Sequence, residues 1–83
     1  MVDPELCRAI GTVLHESDGR PCTARALTSY VYRYIRTPAT VADVQGALNH
    51  LETRGDVRRH ADPDDPTILS WTLTDAGKLR FPS

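Results

Sequence analysis

The chain has 83 residues, 40% hydrophobic and 25% charged, with a formal net charge of −1. This is the composition of a folded globular chain, near the lower size at which one core suffices, and it excludes a disordered polymer. The near-neutral charge argues against indiscriminate polyanion binding, and no apolar run is long enough to span a bilayer. The N-terminal stretch MVDPEL is acidic and lacks the basic and apolar regions of a signal peptide, so a cytoplasmic location and no membrane partner are expected.

Asp3-Pro4-Glu5 reads as a helix start: Asp as cap, Pro at the first helical position, Glu favourable to the dipole. Leu6, Ala9, Ile10, Val13 and Leu14 make its buried stripe, and Ser17-Asp18-Gly19 stops it. Arg20-Pro21-Cys22 is then extended, because proline disfavours helix in the residue before it, and it suits a short strand at a sheet edge. Thr23 caps a second helix, expected from Ala24 to about Arg36. Leu27, Val31, Tyr34 and Ile35 lie inside, Tyr30 is at the margin, and Arg25, Ser29, Tyr32 and Arg36 face out.

Thr37-Pro38-Ala39 breaks that helix and forms a short turn into the next, TVADVQGALNHLETRG, over 40–55. Val41, Val44, Ala47, Leu48 and Leu51 are its expected buried stripe; Thr40 and Asp43 form a capping box, and Gly55 suits a left-handed close. The opposite face presents Ala42, Gly46, Asn49 and Thr53, flanked by Gln45 and His50. Gly46 in mid-helix costs about 1 kcal/mol against Ala, which a close approach by another molecule would explain. Two helices joined by a short turn, the second with a clean apolar stripe, make a helix-turn-helix.

After Gly55 the period changes to two. Val57-Arg58-Arg59-His60 and Ile68 to Leu73 read as strands, with Leu69, Trp71 and Leu73 on one face. The intervening Ala61-Asp62-Pro63-Asp64-Asp65-Pro66-Thr67 is a solvated loop. Thr74 to Leu79 is one capped helical turn that returns Leu79, and with it Phe81, to the core.

Charge is unevenly placed. Residues 1–19 hold one arginine against four acids, residues 20–59 hold seven arginines against three acids, and residues 60–83 hold two bases against four aspartates. The basic segment coincides with the two paired helices, which favours an anionic partner there. Cys7 and Cys22 are too few for a disulfide framework, and with His15, His50 and His60 they show no metal-ligand spacing, so neither metal nor cofactor is expected.

The order Thr40-Val41, Leu48, Leu51-Glu52, Gly55 and Arg58 resembles bacterial winged-helix regulators of the MarR and PadR type. Leu73-Thr74-Asp75-Ala76-Gly77-Lys78-Leu79 resembles their LTxxGxxL segment after the second wing strand, and the likeness runs over roughly residues 20–80. It implies an α+β winged helix-turn-helix: three helices, a two- or three-stranded antiparallel wing sheet and a short C-terminal helical turn. Residues 1–83 would form a single domain, with the helix-turn-helix at about 23–55 and the wing at about 56–73.

The resemblance further implies a DNA-binding transcriptional regulator, often a dimer, that lays the 40–54 helix in the major groove. Ala42, Gln45, Gly46, Asn49 and Thr53 fall at base-facing positions, where Gln and Asn can each read adenine. Arg25, Arg36, Arg58 and Arg59 suit phosphate. Dimerisation through the first helix or the strand near Cys22 is open. The sequence departs from the pattern at Asp43, at the wing residues Asp62, Asp64 and Asp65, and at Asp56, where a hydrophobic residue usually follows the glycine.

A second use of the same fold is a protein–protein module: adaptor, assembly subunit or inhibitor. Tyr32 and the wing aspartates Asp62, Asp64 and Asp65 would then form its contact surface. An enzyme is not expected. His15, Ser17 and Asp18 lie together without a nucleophile elbow, and there is no phosphate loop, HExxH or paired-carboxylate signature.

Overall fold

The first helix, α1 (Pro4–Glu16), starts where Asp3 accepts the Glu5 N–H at 2.9 Å, with Pro4 in the position that needs no N–H. In this computed structural model, which describes residues 3–81, α1 ends as expected: Asp18 and Gly19 take φ of 50° and 84° and reverse the chain. The segment that follows is extended and contributes β1 (Cys22–Thr23), a short edge strand.

Helix α2 (Ala24–Val31) is capped by the Thr23 hydroxyl, which accepts the Ala26 N–H at 3.1 Å. It stops at Val31, well short of the expected Arg36. The residues beyond it find partners outside a helix: the Tyr34 hydroxyl donates to Glu16 Oε1 at 2.6 Å, and the Arg36 N–H donates to Glu5 Oε1 at 3.2 Å. Pro38 further disfavours helix at Thr37. Tyr34 therefore lies outside the core, 40% exposed, while Ile35 packs against it as expected. The connection to the next helix spans residues 32–40 rather than a three-residue turn.

Helix α3 (Val41–Thr53) has the expected capping box in both directions: Thr40 Oγ1 accepts the Asp43 N–H at 3.1 Å, and Asp43 Oδ2 accepts the Thr40 N–H at 2.9 Å. Val44, Ala47, Leu48 and Leu51 are buried, but Val41 is 44% exposed. Burial at that end goes to Ala39 instead. Gly55, at φ 83°, turns the chain out of α3 into β2 (Val57–Ala61).

Strand β3 (Leu69–Leu73) runs antiparallel to both β1 and β2 and lies between them. Its central Trp71 is fully buried with Ile10, Leu27, Val31, Val44, Leu48 and Leu51, so helices and sheet share one core. Among the described residues, four helices and a three-stranded antiparallel sheet make a small α+β winged helix-turn-helix. No helix among the described residues is long and apolar enough to cross a membrane.

The last helix, α4 (Asp75–Arg80), is capped by Thr74, as its sequence requires. Gly77 is the residue it turns inward, and a Cβ there would overlap the Asp56 carbonyl. Leu79, two residues on and so on the opposite side of the helix, is 85% exposed and does not return to the core. Phe81 does: its ring covers Gly11 of α1 so closely that a Cβ at Gly11 would overlap it.

Candidate nucleic-acid interface

The buried stripe of α3 leaves Ala42, Gly46, Asn49 and Thr53 exposed on the opposite side, with Gln45 half-buried beside them and His50 exposed at the edge. The sequence-predicted base-facing residues thus share one face of one helix. Gln45 Nε2 donates to Asn49 Oδ1 at 3.0 Å, which couples the two amides, and Thr53 folds its hydroxyl back onto the Asn49 carbonyl at 3.0 Å. Gly46 has nothing within 4 Å of where a Cβ would stand.

At the N-terminus of α3 the capping box supplies acceptors from the protein itself. The Asp43 carboxylate therefore stands at the helix end where the dipole favours an anion, which lowers the attraction of that end for phosphate.

The four arginines expected at phosphate are exposed but not gathered into one row. Arg25 stands on α2, whereas Arg36 lies in the connection after it, its backbone tethered to Glu5 of α1. On β2, Arg58 pairs with Thr72 and Arg59 with Trp71, so alternation sends the two side chains to opposite faces of the sheet. Arg59 Nε lies 3.6 Å from Glu52 Oε2 at the end of α3, which ties the strand to the helix. Arg58 shares its face with His60, whose ring is 2.8 Å from the Thr72 hydroxyl.

The wing loop is ordered by its own acids. Asp62 Oδ1 accepts the Asp64 N–H at 2.8 Å, and Asp65 Oδ1 accepts the Thr67 hydroxyl at 2.6 Å and its N–H at 3.1 Å. The Thr67 hydroxyl, with its N–H in support, holds the Asp65 carboxyl below the usual carboxylate range. These aspartates build turns, and they also leave negative charge at the wing tip. Tyr32, the other residue assigned to a protein-contact surface, is 52% exposed and donates to the Ala39 carbonyl at 3.2 Å.

One cluster escaped the sequence reading. Asp56 is fully buried; Arg80 Nε donates to its Oδ1 at 3.0 Å and Arg54 Nε lies 3.5 Å from its Oδ2. The signal was an acid directly after a left-handed glycine, where a hydrophobic residue is the usual choice. Cys7 and Cys22 are both buried and unpaired with one another, and burial pushes the Cys7 thiol above its usual range, away from nucleophilic use. Among the described residues no group of three or more His, Cys, Asp or Glu is placed to hold a metal ion.

No family model matches the sequence, and no curated protein matches it. Solved structures do. A probable transcriptional regulator from Pseudomonas aeruginosa is 28% identical with a TM-score of 0.72, the match covering 93% of this chain and 52% of that one. ZitR of Lactococcus lactis, in a variant apo form, is 19% identical with a TM-score of 0.71 over 89% of this chain and 49% of that one. A variant of S. aureus MepR bound to an oligodeoxyribonucleotide is 20% identical with a TM-score of 0.71, again over 89% and 49%. The chain therefore spans about half the length of these structures. Its winged helix-turn-helix resembles that of MarR-type transcriptional regulators.

Proposed function

We propose that this chain is a DNA-binding winged-helix module of a transcriptional regulator, residues 1–83 forming one domain that reads duplex DNA with α3. The observation that carries the proposal is the division of α3 into a fully buried apolar stripe of Val44, Ala47, Leu48 and Leu51 and an opposite face of exposed Ala42, Gly46, Asn49 and Thr53 with half-buried Gln45 beside them. A helix held rigidly from behind, with small and amide side chains outward, suits entry into a major groove. Arg58 and Arg25 are exposed and make no ion pair among the described residues, so they are available for phosphate; Arg36 and Arg59 would contribute from the connection and from the inner face of β2. The likeness of fold to transcriptional regulators, one of them bound to an oligonucleotide, supports the same reading.

The test is a fluorescence-anisotropy titration of the chain against duplex DNA over a series of salt concentrations. Affinity that falls steeply and linearly on logarithmic axes is the expected result. No binding at low salt, or binding indifferent to salt, would overturn the proposal. In either case the acidic wing and Tyr32 become the surface to examine with polypeptide partners.

A further inference from the structure

Four of the five glycines have a structural reason within the fold: Gly19 and Gly55 take left-handed φ of 84° and 83°, and a side chain at Gly11 or Gly77 would collide with Phe81 or with the Asp56 carbonyl. Gly46 has none. It sits inside α3 with a φ that any residue adopts and open space where its Cβ would stand, although glycine weakens a helix interior. Nothing within the described fold accounts for it. Beside it, the Gln45–Asn49 hydrogen bond fixes what the neighbouring amides offer. One Gln45 N–H is taken up by Asn49 Oδ1, which leaves the Gln45 carbonyl oxygen as an acceptor and the Asn49 amino group as a donor, neither with another partner among the described residues, and one further Gln45 N–H.

We infer that Gln45 and Asn49 act as one reading unit for an A·T base pair, with the thymine methyl received against Ala42 and Gly46. This rests on the proposal that α3 reads duplex DNA. One acceptor beside one donor complements the adenine edge, which offers its N6 amino group as donor and N7 as acceptor. Guanine shows two acceptors on that edge, so the Gln45 oxygen would face O6 and repel it. Thymine adds the one apolar group in the groove, and Ala42 with Gly46 supplies a low, unpolarised surface one turn from the amides.

The experiment selects binding sites for the full chain from a random duplex library, then modifies the selected duplex. The expected site carries a fixed A·T pair. Replacing its adenine by 7-deazaadenine should weaken binding about tenfold, and replacing its thymine by uracil about threefold. Asn49→Ala should bind the 7-deazaadenine and parent duplexes equally, and Gly46→Ala should bind the uracil and thymine duplexes equally. The DNA modifications test the inference with the native chain, so a variant that misfolds does not decide it. Selection of a G·C pair at that position, no selection at all, or indifference to both modifications overturns the inference while salt-dependent duplex binding leaves the DNA proposal standing. Absence of any duplex binding at low salt overturns both.

Discussion

Arg80 reaches back from the last helix to donate through Nε to Asp56 at 3.0 Å, closing the turn that leaves α3. The carboxylate is fully buried, whereas the Arg80 and Arg54 side chains are 52% and 37% exposed, so water still solvates part of each cation. Removing the stronger of the two partners leaves the buried anion with only the longer Arg54 contact, which costs more than deleting the anion itself. Arg80→Ala should therefore lower stability by about 1.5–3 kcal/mol in urea unfolding. Asp56→Leu should stay within about 1 kcal/mol of the parent, because it leaves only half-solvated arginines behind. A larger loss for Asp56→Leu than for Arg80→Ala would contradict this account.

Gly46 and Gly77 predict opposite responses to the same substitution. Gly46→Ala meets open space and should raise stability by about 0.5–1 kcal/mol, the ordinary helix-propensity gain. Gly77→Ala drives a methyl group into backbone and should cost at least about 2 kcal/mol. Thermal unfolding of the two variants side by side measures both; equal shifts would mean that the close packing of α4 on Asp56 does not hold in solution.

Arg58 and Asn49 separate affinity from discrimination if DNA is the partner. Arg58→Ala should weaken binding to all duplexes alike and reduce the salt slope by about 1. Asn49→Ala should leave binding to random duplex nearly unchanged while removing about 1–3 kcal/mol of preference for the selected site. Competition titrations with specific and random duplexes distinguish the two patterns.

The wing makes a prediction about protonation. Thr67 holds the Asp65 carboxyl below its usual range, first through its hydroxyl and then through its N–H. A carboxyl depressed in the folded state contributes stability above its unfolded pKa and loses it as pH falls through the folded one. Thr67→Val keeps the N–H but removes the hydroxyl bond, so the Asp65 midpoint followed by carboxyl-carbon NMR should move up toward the ordinary value. An unchanged midpoint would assign the shift to the backbone alone.

What the sequence made legible was local. Caps at Asp3, Thr23, Thr40 and Thr74, the reversal at Gly55 and the alternation through Trp71 each depend on residues within a turn or a strand of one another. The early end of α2 was not legible, because the residues beyond it bond to Glu5 and Glu16, which lie 31 and 18 residues away from the groups they accept. Asp56 looked like an irregularity for the same reason: its partner Arg80 is 24 residues on. Leu79 and Val41 show the converse limit. Both fit an apolar pattern, yet Gly77 and Ala39 took the inward places because backbone approached too closely for a larger side chain or the stripe began a turn later. On the presented face of α3, residue types foretold which side chains face out but not that Gln45 and Asn49 would grip each other.

With β3 laced on one edge to the residues that open α2 and on the other to the strand that leaves α3, the two prongs of the molecule share a common keel. A displacement of β3 is therefore passed to both. A double helix gripped by both would have to supply the compliance itself, so how readily a given stretch bends and twists should bias binding at base pairs that no side chain reaches.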